Sequence, residues 1–177
     1  MALCWRTRPC CRRRTARRLR CCRPSAGAEI LRDIQLLDRG FSPGKALGLF
    51  AKAHPEAGGI ASFVGKVRPD ADVKVLELKA YPRMTLPGME ALADRVALRW
   101  QLDGLLIHHR HGVMRPGAPI VLVAAAARHR RDAIEAVDFA MDHLKSASWF
   151  WKRERRADGW HWIEPRDADH ADLSRWG

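Results

Sequence analysis

A chain of 177 residues has room for one domain with a real hydrophobic core. No stretch approaches the ~18 uninterrupted apolar residues that cross a bilayer, so no membrane partner is expected. The formal charge of +12 invites a nucleic-acid reading, but residues 1–28 carry nine arginines and no acid, and without them 23 basic residues face 20 acidic ones. The excess charge belongs to the leader rather than to the rest of the chain, and no nucleic-acid partner is expected for the domain.

The leader also holds all five cysteines, Cys4, Cys10, Cys11, Cys21 and Cys22. Their adjacent pairs lack the C-x2-C spacing of a zinc site, and no histidine occurs before His54. A domain without cysteine fits a reducing compartment, here read as the cytoplasm. The leader has no apolar run of the kind a secretory signal needs. Its Arg-rich, acid-free composition resembles an organellar transit peptide, but it has few serines and no amphipathic pattern, which argue against one. It reads as a disordered extension over residues 1–28, with a transit peptide or an RNA-binding tail as alternatives. Pro24-Ser25-Ala26-Gly27 is the expected hinge into a single domain over 29–177.

Glu29 to Leu37, with Ile30, Ile34 and Leu36, predicts a first edge strand. Ser42-Pro43 is a helix start, the hydroxyl as cap and proline in the first turn. Ala46 to His54 continues that helix with Leu47, Phe50 and Ala51 on one face, and Gly58-Gly59 ends it. Ile60 to Val67 reads as a strand, with Phe63 in its core or, as the alternative, stacked on a bound ring. Val73 to Tyr81 is its expected partner, across a turn opened by Pro69-Asp70. Met89 to Trp100 is an amphipathic helix through Met89, Leu92, Ala93, Val96 and Trp100. Leu105 to Val113 and Ile120 to Ala127 are strands joined through Arg115-Pro116-Gly117. Asp132 to Leu144 predicts a helix on Ile134, Val137, Met141 and Leu144, and Trp160 to Glu164 a short last strand. Helices segregated among hairpin-linked strands indicate an α+β domain.

The chemistry concentrates between Leu144 and Glu154. Lys145 and Lys152 lie seven residues apart around Trp149-Phe150-Trp151, a short distance after His129-Arg130. Amines held against apolar rings lose solvation, which favours the neutral form that transfers protons or attacks carbon. Neighbouring arginines suit bidentate phosphate binding. Spacing alone serves equally well for a solvated basic helix end beside core aromatics, with Lys145 offsetting the helix dipole.

The run Lys145-Ser146-Ala147-Ser148-Trp149-Phe150-Trp151-Lys152-Arg153-Glu154 resembles the signature of the large, catalytic subunit of molybdopterin synthase. Other matches follow in the family's order. Gly59 to Arg68 resembles its first glycine-containing strand with a Gly-x-Val-Arg end, and Tyr81-Pro82-Arg83-Met84 its Tyr-Pro-x-Met turn. His109-Arg110-His111-Gly112 with Pro116-Gly117 resembles its central hairpin, and His129-Arg130 its Ala-His-Arg element. Trp162-Ile163-Glu164 and Arg175-Trp176 resemble its closing segment, so the likeness covers about residues 30 to 177. It implies an α/β-hammerhead-like core with an additional small antiparallel sheet.

The resemblance also implies a reaction: a sulfurtransferase of molybdenum cofactor biosynthesis that turns cyclic pyranopterin monophosphate into molybdopterin. Sulfur arrives as a thiocarboxylate on the C-terminal glycine of a small ubiquitin-like subunit. Such chemistry needs a phosphate site, a narrow channel for the tail and acid/base groups at the pterin, and no metal or redox cofactor. Carried over residue by residue, Lys145 and Lys152 are catalytic. Substrate binding falls to those two lysines with Lys66, Val67, Arg68, His129, Arg130, Arg153 and Glu154. In the family His129-Arg130 crosses a dimer interface, so a homodimer at the centre of a heterotetramer is implied.

His108-His109-Arg110-His111 has the look of a metal cluster, yet neighbours on a strand face opposite ways, and no metal is expected. Three positions depart from the family. Trp149 stands where proline is common, Lys79 where glutamate is, adding a cation near the proposed pocket, and Arg128 replaces a small residue. A basic RNA-binding protein, or a scaffold that only binds a ubiquitin-like partner, are the competing readings.

Overall fold

The computed structural model describes residues 30–69, 72–146, 149–164 and 167–177. The expectations for the leader and for the turn at Asp70 fall outside them. Two four-stranded sheets carry the architecture. In the first, β1 (Leu31–Leu37) runs parallel to β4 (Gly104–Arg110), β4 pairs antiparallel with β6 (Pro119–Ala127), and β6 with β2 (Gly59–Lys66). In the second, β3 (Val75–Ala80) lies between β5 (Gly112–Met114) and β7 (Phe150–Arg156), and β7 pairs with β8 (Gly159–Ile163), all antiparallel. This is the α+β fold with an added small antiparallel sheet that the resemblance implies.

One expected pairing is wrong. The segment at Val73 to Tyr81 does not pair with Ile60 to Val67; β2 takes β6, and β3 founds the second sheet. The reason lies in the alternation of β3. Leu76 and Leu78 turn inward to Val67 and Met114, while Glu77 and Lys79 turn out, a pattern for a sheet covered on one face only. The strand expected over Leu105 to Val113 divides at His111. Gly112 takes φ +90°, a backbone conformation costly for other residues, and the chain crosses there from the first sheet to the second.

The first sheet is covered on both faces. α2 (Pro82–Arg99) and α3 (Arg130–Ser146) pack Met89, Leu92, Val96, Ala136, Ala140 and Leu144 against Leu105, Ile107, Val121, Val123 and Ala125. On the other face α1 (Pro43–Ala53) sets Phe50 against Leu106, Leu122, Ala124 and Ala126. Hence residues 121–127 are buried without a polar alternation. Ser42 caps α1 as expected, its hydroxyl accepting from the Lys45 N–H. α2 begins at Pro82, seven residues before the predicted start, because proline in the first turn is preorganised for a helix. Ile134 faces solvent, since small Ala133, Ala136 and Ala140 take the contact that lets α3 approach the strands closely, and Ala51 of α1 is exposed beside buried Phe50. Phe63 is 43% exposed rather than core, for β2 is an edge strand whose outer side has no neighbouring strand. A polar C-terminal helix, α4 (Asp167–Ser174), has no apolar periodicity to announce it.

Candidate active site

Lys145 occupies the last turn of α3, where a cation complements the helix dipole. Its ammonium lies 3.6 Å from the Asp169 carboxylate of α4. Lys152 is the third residue of β7, and its ammonium lies 3.4 Å from Glu154, whose other carboxylate oxygen meets Arg156 at 3.3 Å. The expected desolvation of these amines by aromatics does not occur within one chain: Lys145 is 51% exposed and Lys152 41%. The three rings between them turn elsewhere. The Trp149 ring lies on Gly88 of α2, so close that a Cβ there would sit 2.5 Å from it. Its carbonyl accepts from Thr85 Oγ1 at 3.0 Å, and Thr85 Oγ1 in turn accepts from the Tyr81 N–H. Phe150 stacks on His109, centroids 4.0 Å apart, and Trp151 turns to the open side of the second sheet.

His109 is buried beneath this connection. Burial lowers its pKa from 6.5 to about 4, only partly offset by the hydrogen bond its Nδ1–H donates to the Arg110 carbonyl, so the ring is neutral. It is the floor on which Phe150 rests. His108 points to the other face and pairs with Asp33 at 2.8 Å, the divergence that strand alternation requires.

Alternation also divides the matched triplet. Lys152 and Glu154 stand opposite Leu78 and Leu76, on the covered side of the second sheet. Arg153 stands opposite Glu77 and Trp162, on the open side. There it pairs with Glu77 and lies over the Trp160 and Trp162 rings at 4.3 and 5.6 Å. Arg153 therefore does not join the lysines. Lys79, expected to add a cation to the pocket, is on the same open side over Trp162. Val67 is a core residue, with its N–H and carbonyl engaged by Ala118 and Gly117. It separates exposed Lys66, the last residue of β2, from exposed Arg68 just beyond it.

His129 and Arg130 are exposed at the N-terminal end of α3, where free backbone N–H groups favour an anion. Fifteen residues of helix separate Arg130 from Lys145, a span of roughly 22 Å at 1.5 Å per residue. β6 leads directly into α3, which returns along β6 and β2, and Gly59 at the start of β2 abuts Arg130. The end of β2 with Lys66 and Arg68 therefore lies toward Lys145. Val67, between Lys66 and Arg68, packs with Leu76 and Leu78, the β3 partners of Glu154 and Lys152, so by topology these residues lie toward the Lys145 end of α3, with His129 and Arg130 at its other end. A groove of about 580 Å³ lined by Arg95, Arg99, Phe139, His143 and Trp176 touches none of these residues. Among the described residues no three His, Cys, Asp or Glu side chains converge as a metal site.

Asp169, Thr85 and Gly88 escaped the sequence reading. Only Gly88 carried a signal, because glycine inside a helix costs stability and so marks a close approach.

The sequence model of the MoaE protein family matches residues 38–147. The molybdopterin synthase catalytic subunit of Caulobacter vibrioides is 42% identical over 144 residues, covering 81% of this chain and 96% of that protein. The solved molybdopterin biosynthesis MoaE protein from Burkholderia ambifaria is 37% identical with a TM-score of 0.69, covering 84% of this chain and 97% of the other. A chain from the complex of subunits 1 and 2 of the Helicobacter pylori molybdopterin-converting factor shares the fold at 16% identity and a TM-score of 0.66, with coverage of 75% and 91%.

Proposed function

The chain belongs to the MoaE protein family, and from that membership we infer that it is the catalytic subunit of a molybdopterin synthase, a sulfurtransferase of molybdenum cofactor biosynthesis. Its substrate is cyclic pyranopterin monophosphate, and its sulfur donor is the C-terminal thiocarboxylate of a small ubiquitin-like subunit. The two-subunit complex of the Helicobacter pylori neighbour supports a small partner. Lys145 pairs with the thiocarboxylate and then exchanges protons as sulfur attacks the pterin carbon. Lys152, oriented by Glu154, and Lys66 with Arg68 bind the substrate anion.

The observation that carries this reading is the separation of the cations along α3. His129 and Arg130 stand too far from Lys145 to serve it in one chain, and they complete the pocket from a second protomer. The same second chain and the arriving tail supply the desolvation that the exposed lysines lack. The working unit is a homodimer with two small subunits, a heterotetramer, acting in the cytoplasm, and residues 1–28 are an extension dispensable for chemistry.

The test mixes the protein with thiocarboxylated small subunit and cyclic pyranopterin monophosphate and follows dithiolene formation. Lys145→Ala nearly abolishes it. Lys145→Arg fails as well under single turnover with saturating substrate, because a guanidinium keeps its charge and does not release its proton at working pH. Inactive His129→Ala and Lys145→Ala proteins recover activity when mixed, since one pocket of the hybrid dimer is intact. A strictly monomeric protein with full activity would refute the shared pocket.

A further inference from the structure

Lys145 is held from a direction that the matched motifs do not predict. Besides the 3.6 Å approach of its ammonium to Asp169, the neighbouring Ser146 hydroxyl donates to the Asp169 carbonyl at 2.9 Å. The Asp169 side chain is largely covered, 22% exposed. α4 is short and polar, and an isolated helix of this length does not persist in water. A clamp keeps it in place. Asp142 of α3, buried, accepts from Arg175 Nε at 3.0 Å, from Arg175 Nη2 at 2.6 Å and from the Trp176 indole N–H at 2.7 Å. The Trp176 ring meets Phe139 and Trp100 edge-on, and Arg99 donates to the Trp176 carbonyl at 3.0 Å. Asp142 and Lys145 are three residues apart, hence neighbours on one helix face. The clamp and the ion pair therefore form one unit that ties the C-terminal segment to the reactive end of α3.

We propose that Asp169 is a positioning residue for Lys145: the clamped C-terminal segment brings its carboxylate to the ammonium, holds the amine in place at rest, and yields it to the anionic tail of the partner. This rests on the reading of Lys145 as the lysine that meets the thiocarboxylate. A partly exposed ion pair at 3.6 Å is weak enough to be exchanged. Both anions need the same cation, so the resting carboxylate competes with the arriving one. Asp169 touches no substrate; it acts through Lys145.

The experiment has two readouts on the full-length chain. Trace acylation of amines, resolved by mass spectrometry, gives the reactivity of Lys145 relative to exposed Lys52. Asp169→Asn raises that ratio about 2- to 5-fold, because an amine released from its carboxylate is less hindered. Trp176→Phe, which keeps a ring but loses the donor to Asp142, shifts it in the same direction by less. Asp172→Asn on the same helix leaves it unchanged. An unaltered ratio in Asp169→Asn, at an unaltered melting temperature, overturns the proposal whatever the activity. The second readout is sulfur transfer. Asp169→Asn lowers KM for the thiocarboxylated subunit about 2- to 5-fold and lowers the single-turnover rate at saturation, since the tail meets no competitor and a less fixed amine. A raised KM in that variant also refutes the exchange. If wild type transfers no sulfur while the acylation ratio responds as expected, the functional reading fails and the positioning stands.

Discussion

The two sheets use the same backbone pattern to opposite ends. In β4 and β6 successive side chains enter two covered faces: Leu105, Ile107, Val121 and Val123 meet α2 and α3, while Leu106, Leu122 and Ala124 meet α1. Burial on that scale, at about 25 cal/mol per Å² of apolar surface, makes this sheet the rigid part. In β7 and β8 only one face is covered. Trp151, Trp160 and Trp162 are exposed on the other, and Arg153 is held there by Glu77 and the tryptophan rings. Such contacts contribute roughly 0.5–1 kcal/mol each. The two matched lysines, Lys145 in the last turn of α3 and Lys152 in β7, flank the passage from the helix to this less firmly held sheet. A core sheet can be apolar throughout, whereas Lys152, on the covered side of the second sheet, and Lys145, at the end of α3, stay 41% and 51% exposed at the rim of that cover.

The contrast can be broken at its strongest point first. Ile107→Ala, in a position with no exposure, should lower unfolding stability by about 2–5 kcal/mol in urea titrations with an unchanged m-value. His109 comes next. Its pKa falls from 6.5 in the unfolded chain to about 4 in the fold, so the unfolded state binds the proton first. Stability is then full above pH 6.5 and lost as pH falls toward 4, by on the order of 3 kcal/mol in total. His109→Phe keeps a ring for Phe150 and should flatten that slope in denaturation measured at stepped pH. Gly88→Ala pushes a methyl into the Trp149 ring and should cost about 1–3 kcal/mol. Because Trp149 fixes the connection between the lysines, kcat should fall further than stability does. The smallest effect sharpens the division between the faces of the second sheet. Arg153→Gln should cost under about 1 kcal/mol and leave sulfur transfer near wild type, whereas Lys152→Ala severely reduces it. Equal losses in the two variants would place Arg153 in the pocket and undo the assignment of faces.

The amino-acid order by itself determined most of the elements, β7 and α4 excepted, and the family they belong to. Apolar periodicity marks α3 and most of α2, the capping serine and proline mark α1, and Ile120 to Ala127 reads as a strand, because these signals are local. The ordered motifs named the family for the same reason, since a motif is read without knowing what surrounds it. Tertiary structure decided which strand pairs with which, that Arg153 leaves its neighbours, that Val67 is core, and that Asp169 comes to Lys145 from the far end of the chain. Strand partners, sheet faces and contacts between distant segments depend on which surfaces the whole fold leaves uncovered, and no short stretch of sequence contains that information.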